Sequence, residues 1–325
     1  MSETTTTPNR LTPEEAGRLM RLATYASVSV AISLIIAKLV AWFWTDSVSI
    51  LATLIDSTLD ALAAIINMIA VRHALTPADK DHRFGHGKAE ALAGLGQAMF
   101  IAGSAGFLML EAMGRFFHPQ PIEGMAVGIG VMIFSLIATV GLLTFQAHVI
   151  KKTNSTAIKA DSLHYKTDLY MNASVIAALL LAVYGWPGFD AVFGIGIGIF
   201  VLYSAWEIVQ HAIGDLMDKE LSDEERQQIV DIVVAHPKSR GMHDLRTRKS
   251  GVTYFIQLHL ELDDNLMLKE AHKIADQVEA SLSKAFPNSE IIIHQDPHSL
   301  KEKIPEFAEV LNADGEEINV DKGSN

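Results

Sequence analysis

The sequence of 325 residues contains no cysteine, and this absence limits both its covalent and its metal chemistry. Disulfide bridges and thiolate ligands are excluded, so any metal ion must be held by imidazole and carboxylate groups. Basic charge is also scarce, since 26 Lys and Arg residues stand against 38 Asp and Glu residues and the formal net charge is −12. Because no basic run of the kind that binds phosphate backbones is present, we expect no nucleic-acid partner.

Two catalytic signatures are missing as well. The Walker pattern GxxxxGK[ST] does not occur, which argues against ATP hydrolysis, and the HExxH pattern of zinc proteases does not occur either. We therefore do not expect an enzyme. The first residues, MSETTTTPNRLTPEEAGRLM, are polar and lack a small-residue cleavage site after a short apolar core, so no signal peptide is expected.

What the sequence has in abundance is apolar residues, which make up 49% of it and give a mean hydropathy of +0.23. A bilayer core is crossed by about 20 apolar residues of helix. Windows of that kind lie at residues 22–44, 47–72, 90–116, 122–149, 160–184 and 187–213. We therefore predict an all-α membrane domain of six transmembrane helices.

Basic residues are concentrated in alternate connections between these windows. They are Arg10, Arg18 and Arg21 before the first window, Arg72, Lys80, Arg83 and Lys88 after the second, and Lys151, Lys152 and Lys159 after the fourth. Because positive loops stay on the cytoplasmic side, the pattern predicts a multi-pass protein in the lipid bilayer with both termini in the cytoplasm.

The character of the sequence changes after about residue 214. A helix signal that begins at Ser222 is followed by two strand patterns, an amphipathic helix over 267–286 and the short strand EIIIH. This αββαβ order predicts a cytoplasmic α+β domain, ferredoxin-like or metallochaperone-like. The predicted organisation is a polar segment at 1–20, a transmembrane domain at 21–214, a cytoplasmic metal-binding domain at 215–302 and an acidic, disordered tail at 303–325.

Two apolar windows contain pairs of ligand-type residues at a spacing of four. Asp56 and Asp60 form the pair in the second window, and His164 and Asp168 form the pair in the fifth. Such a spacing places both side chains of a pair on one helix face, so two facing helices would bring three carboxylates and an imidazole together. A tetrahedral divalent cation suits this set of ligands. The alternative is that the residues are polar contacts between helices or line a water-filled vestibule.

Two further groups of histidines and aspartates lie outside the windows. The loop PADKDHRFGHGKAE offers Asp79, His82 and His86, which either bind a metal ion or form an ordinary solvated loop. The cytoplasmic domain offers a larger set, which suits two metal ions that share a carboxylate or else consists of surface imidazoles. Its members are His243, His259, His272, His294 and Asp296.

In this combination of motifs the chain resembles the cation diffusion facilitator family. The similarity to its bacterial YiiP-type branch is carried by three stretches and covers nearly all of residues 20–298. The stretches are PADKDHRFGHGKAEALA, NSTAIKADSLHYKTD and HDLRTRKSG…FIQLHLEL…EAHKIAD…IIHQDP. The resemblance implies a homodimeric, proton-coupled exporter of zinc and related divalent ions in the bacterial inner membrane.

By motif, the resemblance implies three metal sites and one ion pair. The transport site would be Asp56, Asp60, His164 and Asp168, and the loop site would be Asp79, His82 and His86. The cytoplasmic site would use His243, His259, His294 and Asp296, with His272 at its side. Lys88 and Asp218 would form a salt bridge between the membrane and soluble parts.

The expected function is efflux of Zn²⁺ by alternating access, with Zn²⁺ both as substrate and as a bound structural or regulatory ion, and with metal sensing by the cytoplasmic domain. Cd²⁺ is a second expected substrate, and Fe²⁺ and Co²⁺ are further candidates, because an imidazole ligand disfavours Mn²⁺. Two alternatives remain open at this point: a passive divalent-cation channel, and a membrane-anchored metal sensor.

Overall fold

The computed structural model describes residues 11–45, 48–117, 126–183, 189–299, 310–312 and 315. The chain divides into two compact units, of which one is Ala16–Leu216 and the other is Met217–Asn325 together with Met1–Glu15. The division between Leu216 and Met217 lies two residues beyond the boundary predicted from the change in composition.

The first unit is built from six long helices, as predicted. They are α1 Pro13–Thr45, α2 Val48–Ala74, α3 Lys88–Phe117, α4 Ala126–Thr153, α5 Thr156–Val183 and α6 Phe189–Leu216. Within the described residues, four stretches are long and apolar enough to cross a membrane: Pro13–Trp44, Thr53–Ala74, Ile133–Thr153 and Ile195–Leu216.

Small residues bring α3, α5 and α6 close together. Their shared core contains Ala98 and Ala105 of α3, Ala160 of α5 and Ala205 of α6, all at most 2% exposed. At Gly198 of α6 a Cβ atom would overlap the side chain of Met109 on α3, so a larger residue would force Met109 to move. Packing of this kind is what apolar helices use in place of hydrophobic burial when they associate in lipid.

The second unit has the predicted αββαβ order followed by one additional strand. Its elements are α7 Asp223–Val234, β1 Gly241–Ser250, β2 Thr253–Leu262, α8 Leu268–Ala285, β3 Ser289–Pro297 and β4 Val310–Asn312. Ser222 caps α7 as predicted, since its hydroxyl accepts a hydrogen bond of 3.3 Å from the amide of Glu225. The strand order in the sheet is β3-β2-β1-β4, and only the β2–β3 pairing is parallel.

Strand β4 corrects the prediction of a disordered tail for the residues that form it. Val310 and Leu311 are buried, and Leu311 pairs with Met242 of β1. These apolar residues lie within an acidic segment, so the composition of the segment did not indicate a strand there. Apart from these three residues and Gly315, the predicted tail from 303 lies outside the described residues.

One face of the sheet forms the core of this unit, and the other carries the polar side chains. Leu258, Leu260 and Leu262 of β2 are at most 2% exposed and belong to one apolar cluster with residues of α7 and α8. Successive side chains of a strand point to opposite faces, so His259 and Glu261 lie on the face away from that core. This alternation positions the candidate ligands.

Candidate metal centres

Helices α2 and α5 bring three of the four predicted transport ligands together. Asp60, His164 and Asp168 each offer a ligand atom within 4.8 Å of the other two. His164 Nε2 lies 2.9 Å from Asp60 Oδ1 and 3.8 Å from Asp168 Oδ2. The side chains are 13%, 18% and 37% exposed for His164, Asp60 and Asp168, so the group is largely shielded. Two carboxylates and one imidazole at this separation can bind a divalent cation.

Asp56 is the fourth predicted transport ligand, and it lies outside this convergent group. It precedes Asp60 by one turn of α2, and its side chain is exposed. The i, i+4 spacing places it on the same side of α2 as Asp60. Its participation as a ligand stays a prediction.

A buried polar network holds α5 one turn before His164. Asp161 is 1% exposed, and its Oδ2 accepts hydrogen bonds from Ser27 Oγ at 2.5 Å and Gln146 Nε2 at 2.7 Å. Its Oδ1 accepts a hydrogen bond of 3.3 Å from Gln97 Nε2. The Tyr165 hydroxyl also donates to the carbonyl of Ser27 at 3.2 Å. Helices α1, α3 and α4 thus all contact α5 beside the site and fix its rotation.

The loop after α2 brings Asp79, His82 and His86 together, as the spacing predicted. One ligand atom of each lies within 4.8 Å of the others. Both imidazoles lie 3.4 Å from a carboxylate oxygen of Asp79, Nδ1 of His82 from Oδ1 and Nε2 of His86 from Oδ2. The ring of His73, at the end of α2, lies 4.6 Å from the ring of His86.

Backbone geometry fixes the carboxylate of this loop cluster. The amides of His82 and Asp81 donate to Asp79 Oδ1 at 2.7 and 2.9 Å. These bonds, that from His82 foremost, lower the pKa of the Asp79 carboxyl below its ordinary value, with help from the nearby imidazoles. Asp79 is therefore a charged, oriented carboxylate at neutral pH, and its role as a metal ligand stays a prediction.

In the second unit, three strands place histidines in one row. His243 of β1 pairs with His259 of β2, and His259 pairs with His294 of β3. Neighbouring rings along the row lie 4.8 and 4.7 Å apart between centroids. The β1–β2 pairing continues from Arg246 opposite Gln257, so β1 has one extra residue directly after His243. A bulge of this type changes the direction of nearby side chains, and this one directly follows His243.

Asp296 is the carboxylate on which the row converges. It is 4% exposed, and its oxygens lie 2.7 Å from His259 Nδ1, 3.5 Å from His243 Nε2 and 3.0 Å from His294 Nε2. His259 and His243 contact Oδ2 while His294 contacts Oδ1. This arrangement fits the predicted carboxylate shared between two ions, because each oxygen has its own imidazole partners.

Glu261 is a functional candidate that the sequence reasoning missed. Its Oε1 lies 3.1 Å from Nδ1 of His243, and its Oε2 lies 2.7 Å from Nδ1 of His298. Burial alone would raise the pKa of the Glu261 carboxyl, but the hydrogen bonds from His243 and His298 outweigh it and lower that pKa. Glu261 follows His259 by two residues on β2, so strand alternation was the signal that indicated a shared face.

The remaining predicted residues have other neighbours within their own units. His272 lies on α8, is 68% exposed and pairs with Asp276 at 3.7 Å. Lys88 donates to the carbonyl of Leu216 at 3.2 Å, and Asp218 binds Arg248 at 3.1 Å. The roles predicted for His272 and for the Lys88–Asp218 pair stay predictions.

Comparison with known proteins covers both units. Residues 24–217 match the cation efflux transmembrane domain, and residues 221–298 match the cytoplasmic domain of cation efflux proteins. The chain is 51% identical to the cation-efflux pump FieF of Klebsiella pneumoniae over 284 residues, which cover 87% of this chain and 95% of the relative. FieF of Salmonella arizonae is 50% identical over the same shares of both chains. The solved zinc form of CzrB aligns at 30% identity with a TM-score of 0.25, over 26% of this chain and 98% of that one.

The two matched domains are consecutive in the chain and account for residues 24–217 and 221–298. This order is the one that the six helices and the following αββαβ unit display. The chain belongs to the cation diffusion facilitator family, whose members are transporters and not enzymes.

Proposed function

We propose that this protein exports Zn²⁺ from the cytoplasm across the bacterial inner membrane in exchange for protons, with Cd²⁺ as a second substrate. The observation that carries the proposal is the convergence of Asp60, His164 and Asp168 from two helices of the membrane unit. Intramembrane ionisable residues that converge in this way mark ion or proton pathways. Asp56 completes the set as the fourth ligand.

The proposed cycle follows from the chemistry of these ligands. An imidazole and carboxylates bind a metal ion only when they are deprotonated, so protons compete with the ion for the same atoms. Protons that enter from outside release the ion, and their inward flow is driven by about 2.3 kcal/mol per charge per 100 mV of membrane potential. Alternating access then needs only helix movements that expose the site to one side at a time.

The mixed nitrogen and oxygen ligand set supports the choice of metal. Imidazole favours borderline ions such as Zn²⁺ and Cd²⁺, whereas Mn²⁺ prefers oxygen ligands in octahedral geometry. Fe²⁺ and Co²⁺ are minor substrates on the same reasoning. The relatives are called cation-efflux pumps, which supports the direction of transport.

The cytoplasmic unit is proposed to bind structural or regulatory Zn²⁺ and to dimerise. The row of His243, His259 and His294 around Asp296 supplies ligands without any contribution from lipid. Metal bound there biases the conformation of the transporter and thereby senses cytoplasmic zinc. Lys88 and Asp218 form the proposed link between membrane and soluble parts in the homodimer, and both termini lie in the cytoplasm.

The test is zinc flux in proteoliposomes, measured with and without an opposing pH gradient. Wild-type flux should rise several-fold with the gradient, and the luminal pH should change as zinc moves. Asp60→Ala should abolish flux while the purified protein keeps its melting temperature and oligomeric state, because the transport ligands act as a set. Wild-type flux in Asp60→Ala would show that the ion does not pass through this site.

The same assay separates the two alternative functions. A passive channel would conduct zinc at the same rate regardless of the pH gradient and would not saturate. A membrane-anchored sensor would bind zinc through its cytoplasmic unit without any flux. The cluster of Asp60, His164 and Asp168 on α2 and α5 favours transport over the sensor, because a membrane anchor does not need ionisable residues within its helices.

A further inference from the structure

Lys38 is a cation within the long apolar helices of the membrane unit. It is the one Lys or Arg residue between Arg21 and Arg72, a stretch that contains most of α1 and α2. It precedes the end of α1 by seven residues, so it lies within the helix and not at its terminus. A charge at such a position is costly unless it has a partner, and it is a functional candidate for that reason.

The ammonium group of Lys38 is held against α2 beside the transport ligands. Its Nζ donates hydrogen bonds of 2.6 Å to Ser57 Oγ and 3.1 Å to the carbonyl of Thr53. Ser57 directly follows Asp56 in the sequence and is 2% exposed. Two contacts to neighbouring turns of one helix fix the charge at the level of Asp56.

This charge acts on the transport site through space. Its partner Ser57 lies between Asp56 and Asp60 on α2, so the ammonium is held next to two of the proposed transport ligands. A long side chain that merely avoided lipid would extend to the nearest interface, where its ammonium could be hydrated. Lys38 instead binds to the helix that carries two of the proposed ligands.

We infer that Lys38 supplies a fixed positive charge to the transport site, which makes the metal-loaded site electrically neutral and limits how tightly it holds the ion. The inference rests on the proposed function. Three aspartates, a neutral imidazole and a divalent ion leave one net negative charge, and the Lys38 ammonium cancels it. A neutral site is cheaper to enclose in a low-dielectric environment while the helices rearrange. The ammonium also repels the ion, which favours its release.

The inference predicts opposite effects on binding and on transport when the charge is removed. Lys38→Gln keeps a donor for Ser57 but removes the charge, so the transport site should bind Zn²⁺ about tenfold more tightly. Net zinc efflux at saturating zinc should fall about tenfold, because the loaded site then carries a net charge and releases the ion slowly. Lys38→Arg keeps the charge and should restore both quantities to within about threefold of wild type.

The experiment uses the full-length protein, with calorimetric zinc titration in detergent and zinc flux in proteoliposomes. The zinc-binding heat that is present in the wild type and absent in Asp60→Ala is assigned to the transport site, which separates it from the heat of the other metal sites. Lys152→Gln removes an exposed charge at the end of α4 and is the matched control, which should behave as wild type. Lys38→Met is a second neutral variant in case Lys38→Gln does not yield folded protein.

Each outcome bears on the inference in one direction. Tighter binding with slower efflux in the neutral variants, and recovery in Lys38→Arg, supports it. Unchanged or weaker binding in the folded neutral variants overturns it, as does a Lys38→Arg variant that is as defective as Lys38→Gln. If Asp60→Ala keeps wild-type flux, the proposed function itself fails, and this result is distinct from a failure of the Lys38 variants alone.

Discussion

Glu261 is a carboxylate that can orient a proposed metal ligand, His243, without binding the metal itself. It contacts His243 through Nδ1, which leaves Nε2 of that ring 3.5 Å from Asp296 as the atom that faces the proposed metal. A carboxylate behind a metal-binding histidine fixes the orientation of the ring and makes its other nitrogen a better ligand. His298 binds the second oxygen of Glu261 and holds the carboxylate in place.

Glu261→Gln should weaken zinc binding at the cytoplasmic site and change the acid stability of the metal-free protein. Loss of such a partner typically lowers metal affinity about 10- to 100-fold. Because the pKa of Glu261 lies below its ordinary value of 4.5 in the folded state, its contribution to stability is complete above that pH. The contribution is lost as the pH falls through the lowered pKa. The wild type should therefore lose more stability than Glu261→Gln as the pH decreases below 4.5.

Zinc titration and melting curves in chelator between neutral and acid pH measure both effects. Glu290→Gln on β3 is the matched control, because Glu290 is an exposed carboxylate of the same sheet. Equal acid sensitivity of wild type and Glu261→Gln, together with unchanged zinc affinity, would mean that Glu261 does not orient His243.

At the scale of elements, α5 is a helix that three neighbouring helices hold through one buried carboxylate. It carries two of the proposed transport ligands, His164 and Asp168, and Asp161 lies three residues before the first of them. Asp161 accepts hydrogen bonds from side chains of α1, α3 and α4, so three neighbours restrain the rotation of the ligand-bearing helix. A helix held in this way keeps His164 close to Asp60 without a bound ion.

Asp161→Ala should destabilise the protein and reduce transport together. Each buried donor that loses its acceptor costs about 1–3 kcal/mol, and α5 loses the hydrogen bonds from Ser27, Gln97 and Gln146 at once. Asp161→Asn keeps one acceptor oxygen of similar shape and should retain a larger part of both stability and flux. Thermal unfolding in detergent and zinc flux measure the two effects. A normal melting temperature in Asp161→Ala would mean that the network does not restrain α5.

Sequence reasoning succeeded for elements whose signal is local and failed where a partner in space was needed. The i, i+4 pairs predicted shared faces on α2 and α5, and alternation predicted the strand β2. The extra residue after His243 and the pairing of β4 with β1 depend on register between distant segments, which periodicity does not encode. Asp161 and Lys38 were passed over because neither has a ligand-type partner four residues away.

At the scale of the whole molecule, both units contain groups of residues that could bind a metal ion, and we propose different roles for them. The proposed transport ligands Asp60, His164 and Asp168 lie on two helices, which the proposed alternating access would rearrange. The ligands around Asp296 lie on a sheet whose opposite face is packed on α7 and α8. The first arrangement suits an ion that passes through, and the second suits an ion that stays.

The second unit should bind zinc when it is separated from the membrane unit. A fragment that begins at Met217 contains its own apolar core and all the residues of the His243, His259 and Asp296 cluster. Ligand binding stabilises the folded state by mass action, by roughly 2.7 kcal/mol at a concentration of 100 times Kd. The fragment should therefore melt at a higher temperature with Zn²⁺ than with chelator, and it should dimerise more tightly with the metal.

Asp296→Ala is the decisive variant of this fragment, because every imidazole of the row contacts that carboxylate. It should lose most of the zinc-dependent heat and of the shift in melting temperature. In the full-length protein, the same substitution should reduce flux at saturating zinc less than Asp60→Ala does, since a regulatory ion biases the conformation and is not itself transported. A wild-type fragment without zinc-dependent heat would identify these histidines as solvated surface residues. Equal loss of flux in Asp296→Ala and Asp60→Ala would instead make the sheet site an obligatory part of the transport cycle.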